Sequence, residues 1–134
     1  MGTPDPGFGL HHRVVDGSII LTFRGELDAW ADQELSPRIA ELMARPDEDI
    51  VVDLRQVTFL DAGGLRLLVR IKGQAAARRR PLRLVRSSPR VWRVLRITRL
   101  DRSFTVLDGM PAALDASDET DEADDCEGNL NRPA

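Results

Sequence analysis

The sequence predicts a single α/β domain, a mixed β-sheet with helices packed mainly on one face, in the order ββαβαβαβ(α). Three observations carry this expectation. Short β-branched runs alternate with segments whose apolar residues recur at helical spacing, the pattern of sheet-and-helix domains. The first two strand-like runs are separated only by Asp16-Gly17, a two-residue hairpin signal, so the sheet opens with an antiparallel pair. A chain of 134 residues with 42% hydrophobic side chains can build one core but not two, and with 4% aromatics and no Tyr that core is aliphatic.

Taken in order, residues 1–9 hold two prolines and three glycines without periodicity and read as a flexible lead-in to a domain over 10–116. Strands are expected over 10–15 and 18–24, followed by a Gly25-Glu26-Leu27-Asp28 turn. The spacing of Leu35, Ile39, Leu42 and Met43 predicts a helix over 32–43, with Pro46 just beyond it. The continuous apolar run in 49–54 reads as a buried central strand, and 57–60 leads from it toward a loop. Asp61 is the natural N-cap of a strong helix reaching Ala77. A strand over 82–85 follows. Ser88-Pro89 then starts a helix whose inner face is expected to hold Val91, Val94, Leu95 and Ile97 or Thr98. A strand over 104–107 and a helical turn or two over 110–116 complete the domain. Right-handed crossovers place the second and third helices on a common face.

The net charge of −3 conceals a segregation: residues 1–110 carry 18 basic and 14 acidic side chains, whereas 111–134 carry one and eight. Residues 117–134 lack the apolar content to fold and read as a solubilising, disordered acidic tail; folding back onto the basic stripe is the alternative. Between Arg66 and Arg102 there are 13 basic residues and one acid, Asp101. Arg90, Arg93 and Arg96 recur at helical spacing as a solvated stripe, and Arg78, Arg79 and Arg80 suit a helix C-terminus. With no interleaved aromatic platform, no nucleic acid partner is expected. No apolar run of 18 residues and no leader pattern occur, which points to a cytoplasmic chain without membrane insertion.

Cys126 stands alone in an acidic stretch and reads as an incidental thiol. His11-His12, without further ligands nearby, reads as edge decoration rather than a metal site. Trp30 and Trp92 stand at helix beginnings and are expected at the core rim, an exposed interface anchor being the alternative. No serine has a base partner, no carboxylate pair is placed for acid–base work, and no phosphate-binding loop occurs. The chain is therefore expected not to be an enzyme, and no cofactor or metal is expected.

The most informative segment is 57–68, where a strand leads into the helix beginning Asp61-Ala62-Gly63-Gly64, because α/β domains favour such junctions for binding. Two readings stand side by side. The free N–H groups of the first turn suit an anion, with glycines admitting close approach. Alternatively, this is an ordinary capped helix whose glycines serve tight packing.

Four ordered segments, Gly25-Glu26-Leu27-Asp28, the run from Asp53 through Val57-Thr58-Phe59-Leu60 to Asp61, Gly64-Leu65-Arg66-Leu67-Leu68, and Arg99-Leu100-Asp101-Arg102-Ser103-Phe104, resemble the STAS domain of bacterial anti-sigma factor antagonists. The resemblance spans roughly residues 10–114. It implies a STAS-like domain that binds an anti-sigma factor, often a serine protein kinase, and so frees a sigma factor to direct transcription by partner switching. It also implies that Asp28, Thr58, Phe59, Asp61, Ala62, Gly63, Gly64, Leu65 and Arg66 form the partner surface. In that family the junction typically reads Asp-Ser-Ser-Gly-Leu, and its first Ser accepts phosphate from the kinase. Here Ala62 occupies that position and Gly63 the next, so neither can be phosphorylated. Thr58 and Ser36 carry hydroxyls but do not occupy the acceptor position. The alternatives are a ligand-binding STAS module for a nucleotide or other anion, a subunit of a lipid-transport complex, or a scaffold of a signalling assembly. The oligomeric state is left open, a dimer being one option.

Overall fold

The computed structural model describes residues 7–45 and 49–115. The first six residues, residues 46–48 with Pro46, and everything from 116 onward, including the acidic tail and Cys126, lie outside the described residues. Strands β1 (Phe8–Val15) and β2 (Ser18–Leu27) pair antiparallel, joined by Asp16 and Gly17 at φ of 50° and 81°. Both residues have the positive φ that a twisted two-residue hairpin needs. There follow α1 (Ala29–Met43), β3 (Asp49–Leu60), α2 (Ala62–Ala77), β4 (Leu82–Val85), α3 (Pro89–Ile97), a 3-10 turn (Leu100–Ser103), β5 (Thr105–Leu107) and α4 (Ala112–Asp115). The strands lie in chain order across one five-stranded sheet, and every pair after the first is parallel.

This is the predicted mixed sheet, and crossovers of one hand put α1, α2 and α3 together on one face. Leu35, Ile39, Leu67, Leu68, Ile71, Val91 and Leu95 from the helices close over Ile19, Leu21, Phe23, Ile50, Val52, Leu54 and Leu84 from the strands. Among the described residues the opposite face is covered by α4, whose Leu114 seals a small cluster of Val15, Ile20, Val51 and Val85, with Met110 packed beside them.

Several elements differ from expectation for identifiable reasons. Strand β1 begins at Phe8, inside the expected lead-in, because Phe8 is fully buried and meets Trp30 edge to face at 5.3 Å. Strand β2 runs on through Gly25-Glu26-Leu27 instead of turning there, and Glu26 N–H donates to the Gly7 carbonyl at 2.7 Å. Helix α1 consequently starts at Ala29, three residues early, and Asp32 lies buried within it. Strand β3 runs unbroken through 57–60, its register against β2 shifting where Asp53 folds onto Arg55.

Other side chains face the opposite way from their sequence reading. Ile97 is 69% exposed, and Thr98 turns its hydroxyl back to the Val94 carbonyl, so α3 buries Val91, Trp92 and Leu95 instead. Trp92 belongs to the core itself rather than its rim. His12 is not edge decoration: it shares the inward parity of Phe8 and Leu10, is buried, and places Nδ1 3.1 Å from the Arg38 guanidinium. Arg80 is also buried and donates to the Met43 carbonyl at 2.8 Å, capping α1 rather than its own helix.

Candidate functional site

Chain leaves the sheet twice at the same edge, from β2 into α1 and from β3 into α2, because parallel strands present all their C-terminal ends together. Each helix is capped by an aspartate held in extended backbone. Asp28 Oδ1 accepts from Ala31 N–H at 3.0 Å, and Asp61 Oδ1 accepts from Gly63 N–H at 2.9 Å and Gly64 N–H at 3.3 Å. The two starts adjoin, since Asp61 N–H donates to the Leu27 carbonyl at 3.3 Å.

This geometry separates the two readings of the glycine pair. A Cβ on Gly63 would stand 2.3 Å from the Ala29 nitrogen, and one on Gly64 would stand 2.3 Å from the Leu27 carbonyl oxygen. Both glycines are buried, so they let α2 seat against the start of α1 and present nothing to a partner. Their N–H groups are taken by Asp61, whose carboxylate sets a negative charge where an anion would have to sit. The packing reading holds, and the anion reading loses its donors.

Of the other expected site residues, Leu65 is half-buried against the core, Asp28 and Asp61 are partly exposed, and Thr58, Phe59, Ala62 and Arg66 are exposed. Ala62 stands at the outer tip of α2, the first residue of a face continued by Arg66, Val69 and Arg70 at helical spacing. Phe59, 47% exposed, borders a shallow cleft of about 220 Å³ between β3 and α3 that is lined by Thr58, Phe59, Leu60, Arg90, Val91 and Val94.

Of two further contributors, one was read in the sequence as the lesser alternative and the other was missed. Trp30, placed at the core rim, is 44% exposed and adds a large aromatic beside Asp28. Buried Asp32 holds Arg70 at 3.1 Å and draws Arg66 to 3.8 Å, tying the cationic face of α2 to α1. The Ser36 hydroxyl donates to the Asp32 carbonyl and is engaged inside the helix. Sequence spacing holds no signal for a pairing across 38 residues. Among the described residues no cluster of His, Cys, Asp and Glu could hold a metal ion, and no helix is long and apolar enough to cross a membrane.

A family model described as Mlab, STAS domain, matches residues 11–110. The chain belongs to the STAS domain family. An anti-sigma factor antagonist from Mycobacterium paratuberculosis is similar at 25% identity and a TM-score of 0.72, over 87% of this chain and 97% of that one. A putative anti-sigma factor antagonist from Thermotoga maritima is similar at 23% identity and a TM-score of 0.71, over 79% and 92%. The anti-sigma factor antagonist SpoIIAA in its unphosphorylated form shares the fold at 17% identity and a TM-score of 0.60, over 75% and 89%. In this STAS domain the exposed helix starts and the Phe59 cleft lie side by side on one edge of the sheet.

Proposed function

We propose that this STAS protein is an anti-sigma factor antagonist: it docks on an anti-sigma factor through Asp28, Thr58, Phe59, Asp61, Ala62 and Arg66, and thereby frees a sigma factor to direct transcription. The observation that carries this reading is the exposure of Ala62 at the tip of α2, flanked by an exposed aromatic and paired aspartate caps, in a fold shared with an anti-sigma factor antagonist along nearly its whole length. A partly apolar surface ringed by charge, with Phe59 and Trp30 as anchors, has the composition of a protein interface rather than a catalytic cleft. Gly63, Gly64 and Leu65 act in this reading by setting the helix position.

The partner is a serine protein kinase type of anti-sigma factor, and the complex is insensitive to its phosphorylation because Ala62 offers no hydroxyl. SpoIIAA has been solved in both unphosphorylated and phosphorylated forms, and phosphate added at a helix start is the charge change that resets such docking. A second reading, a subunit of a lipid-transport complex, keeps the same surface and changes the partner.

Affinity capture of the tagged chain from its own cells with ATP or ADP present tests both. Recovery of a kinase-type anti-sigma factor with an unmodified bait supports the first reading. Recovery of transporter proteins without a kinase selects the second and sinks the first.

A further inference from the structure

A pocket of about 180 Å³ lies between Lys72, Ala75 and Ala76 of α2, Leu82 of β4, and Ser103 and Phe104 ahead of β5. It sits at the far end of α2 from the docking surface, since Ala76 and Ala62 are roughly 20 Å apart along the helix at about 1.5 Å per residue.

The end of α2 builds this corner. Arg79 takes a φ of 56°, which turns the chain back, and Arg80 N–H donates to the Ala75 carbonyl at 2.9 Å. The Arg78 and Arg79 N–H groups donate to the Ala75 and Ala76 carbonyls at 3.1 and 3.0 Å. The negative end of the helix is therefore closed by backbone donors rather than left facing the pocket. The reversed chain seats Arg80 in the wall, 7% exposed, with its guanidinium donating to the Met43 carbonyl.

Polar and apolar groups divide the lining. Half-buried Lys72, the chain's one lysine, and the Ser103 hydroxyl have no hydrogen-bond or ion-pair partner among the described residues. No carboxylate of the described residues lines the pocket, and the stretch from Arg66 to Arg102 holds Asp101 as its one acid. The rest of the lining is hydrocarbon, with Leu82 and Phe104 packed against the core. An ammonium and a hydroxyl match the two oxygens of a carboxylate, and the hydrocarbon wall matches an apolar body. A bare phosphate would make no use of that wall.

We propose that this pocket binds a small organic monocarboxylate with an aromatic or branched aliphatic body. The carboxylate sits between Lys72 and Ser103, and the body lies against Leu82 and Phe104. The Arg80 charge in the wall adds to the attraction. Pockets for drug-sized ligands run to about 300–1,000 Å³, so the volume here limits the ligand to one ring or a short chain and excludes a nucleotide.

The test uses the full-length protein with benzoate as the probe. Saturable shifts are expected at the amides of Lys72, Ala76, Leu82, Ser103 and Phe104, with a rise in melting temperature because the folded state alone is bound. Acetate, with the same charge and no ring, is expected to bind at least about tenfold more weakly. Inorganic phosphate at matched ionic strength is expected to leave these amides unmoved. Lys72→Gln is expected to weaken benzoate binding about tenfold and Ser103→Ala about threefold. Ala76→Glu sets a carboxylate in the wall from an exposed helix position and is expected to abolish the shifts, with the domain still folded in urea unfolding. Shifts centred on Arg90, Arg93 and Arg96 or on the starts of α1 and α2 overturn the proposal. So does an equal response to acetate or phosphate, benzoate binding unchanged in Lys72→Gln, or no saturable shift.

Discussion

Gly63 lies so close to Ala29 that a Cβ on it would stand 2.3 Å from the Ala29 nitrogen. The first turns of α1 and α2 thus touch backbone to backbone, with no flexible side chain to yield. Gly63→Ala is expected to destabilise the domain by about 1–3 kcal/mol, the usual cost of overpacking, read in urea unfolding. Gly73, exposed on the same helix with nothing within 4 Å of where a Cβ would stand, is the control. Gly73→Ala is expected to stabilise by about 0.5–1 kcal/mol through reduced chain entropy. Equal effects at the two positions would refute the close-packing account.

Replacing Asp61 by alanine removes the acceptor for Gly63 and Gly64 N–H. A loss of about 1 kcal/mol is expected for the cap. The same change frees those donors and removes a negative charge, so phosphate should raise the melting temperature of Asp61→Ala and leave the parent unchanged. A phosphate response in the parent would restore the anion-site reading.

Arg55 holds Asp53, 2% exposed, by two side-chain hydrogen bonds and one from its own backbone N–H. The side-chain hydrogen bonds raise the Arg55 pKa above its ordinary value, with burial opposing and the charges of Asp53 and Asp115 adding. A raised pKa gives stability that is fully present below the unfolded value and lost only as pH rises through the folded one. The Arg55 contribution is therefore constant across neutral pH and fades only in strong alkali. Arg55→Ala strands a buried carboxylate and is expected to cost about 1–3 kcal/mol, measured at neutral pH.

At the docking surface, Phe59→Ala and Arg66→Ala are each expected to weaken capture of the anti-sigma factor about tenfold or more, beyond any loss of stability, read in urea unfolding, from the half-covered Phe59 ring and from the lost Arg66 pairing with Asp32. Ala62→Ser tests the acceptor position. With the captured kinase and ATP it should gain phosphate on that residue and lose the complex, whereas the parent keeps it. Phosphate on Thr58 or Ser36 of the parent would displace Ala62 as the reason for insensitivity.

Features decided within a few residues were legible in the sequence. The Asp16-Gly17 hairpin and the Asp61 and Ser88 caps are local bargains between a side chain or backbone and the next turn. Phe59 and Ala62 were expected at the partner surface because the segment around Asp61 resembles the family's strand-to-helix junction, and both are exposed there. His12, Asp32 and Arg80 were misread or missed because their partners lie 26, 38 and 37 residues away, and polar character alone suggested a surface position. For Trp30 both sequence readings hold in part: one edge of its ring covers Phe8 while the rest stays in water, a division no periodicity encodes.

Because the strands lie across the sheet in chain order, each finds its neighbour already made when it leaves the ribosome. The hairpin can template β3, β3 can template β4, and no strand waits for a later one to be inserted beside it. Leu114 breaks that sequence. Among the described residues it is the last apolar contact to emerge, yet it belongs to one cluster with Val15 of the first strand. The fold is thus assembled progressively but fastened last, and a chain ending before residue 114 would hold all five strands with Ile20 and Val51 covered less completely.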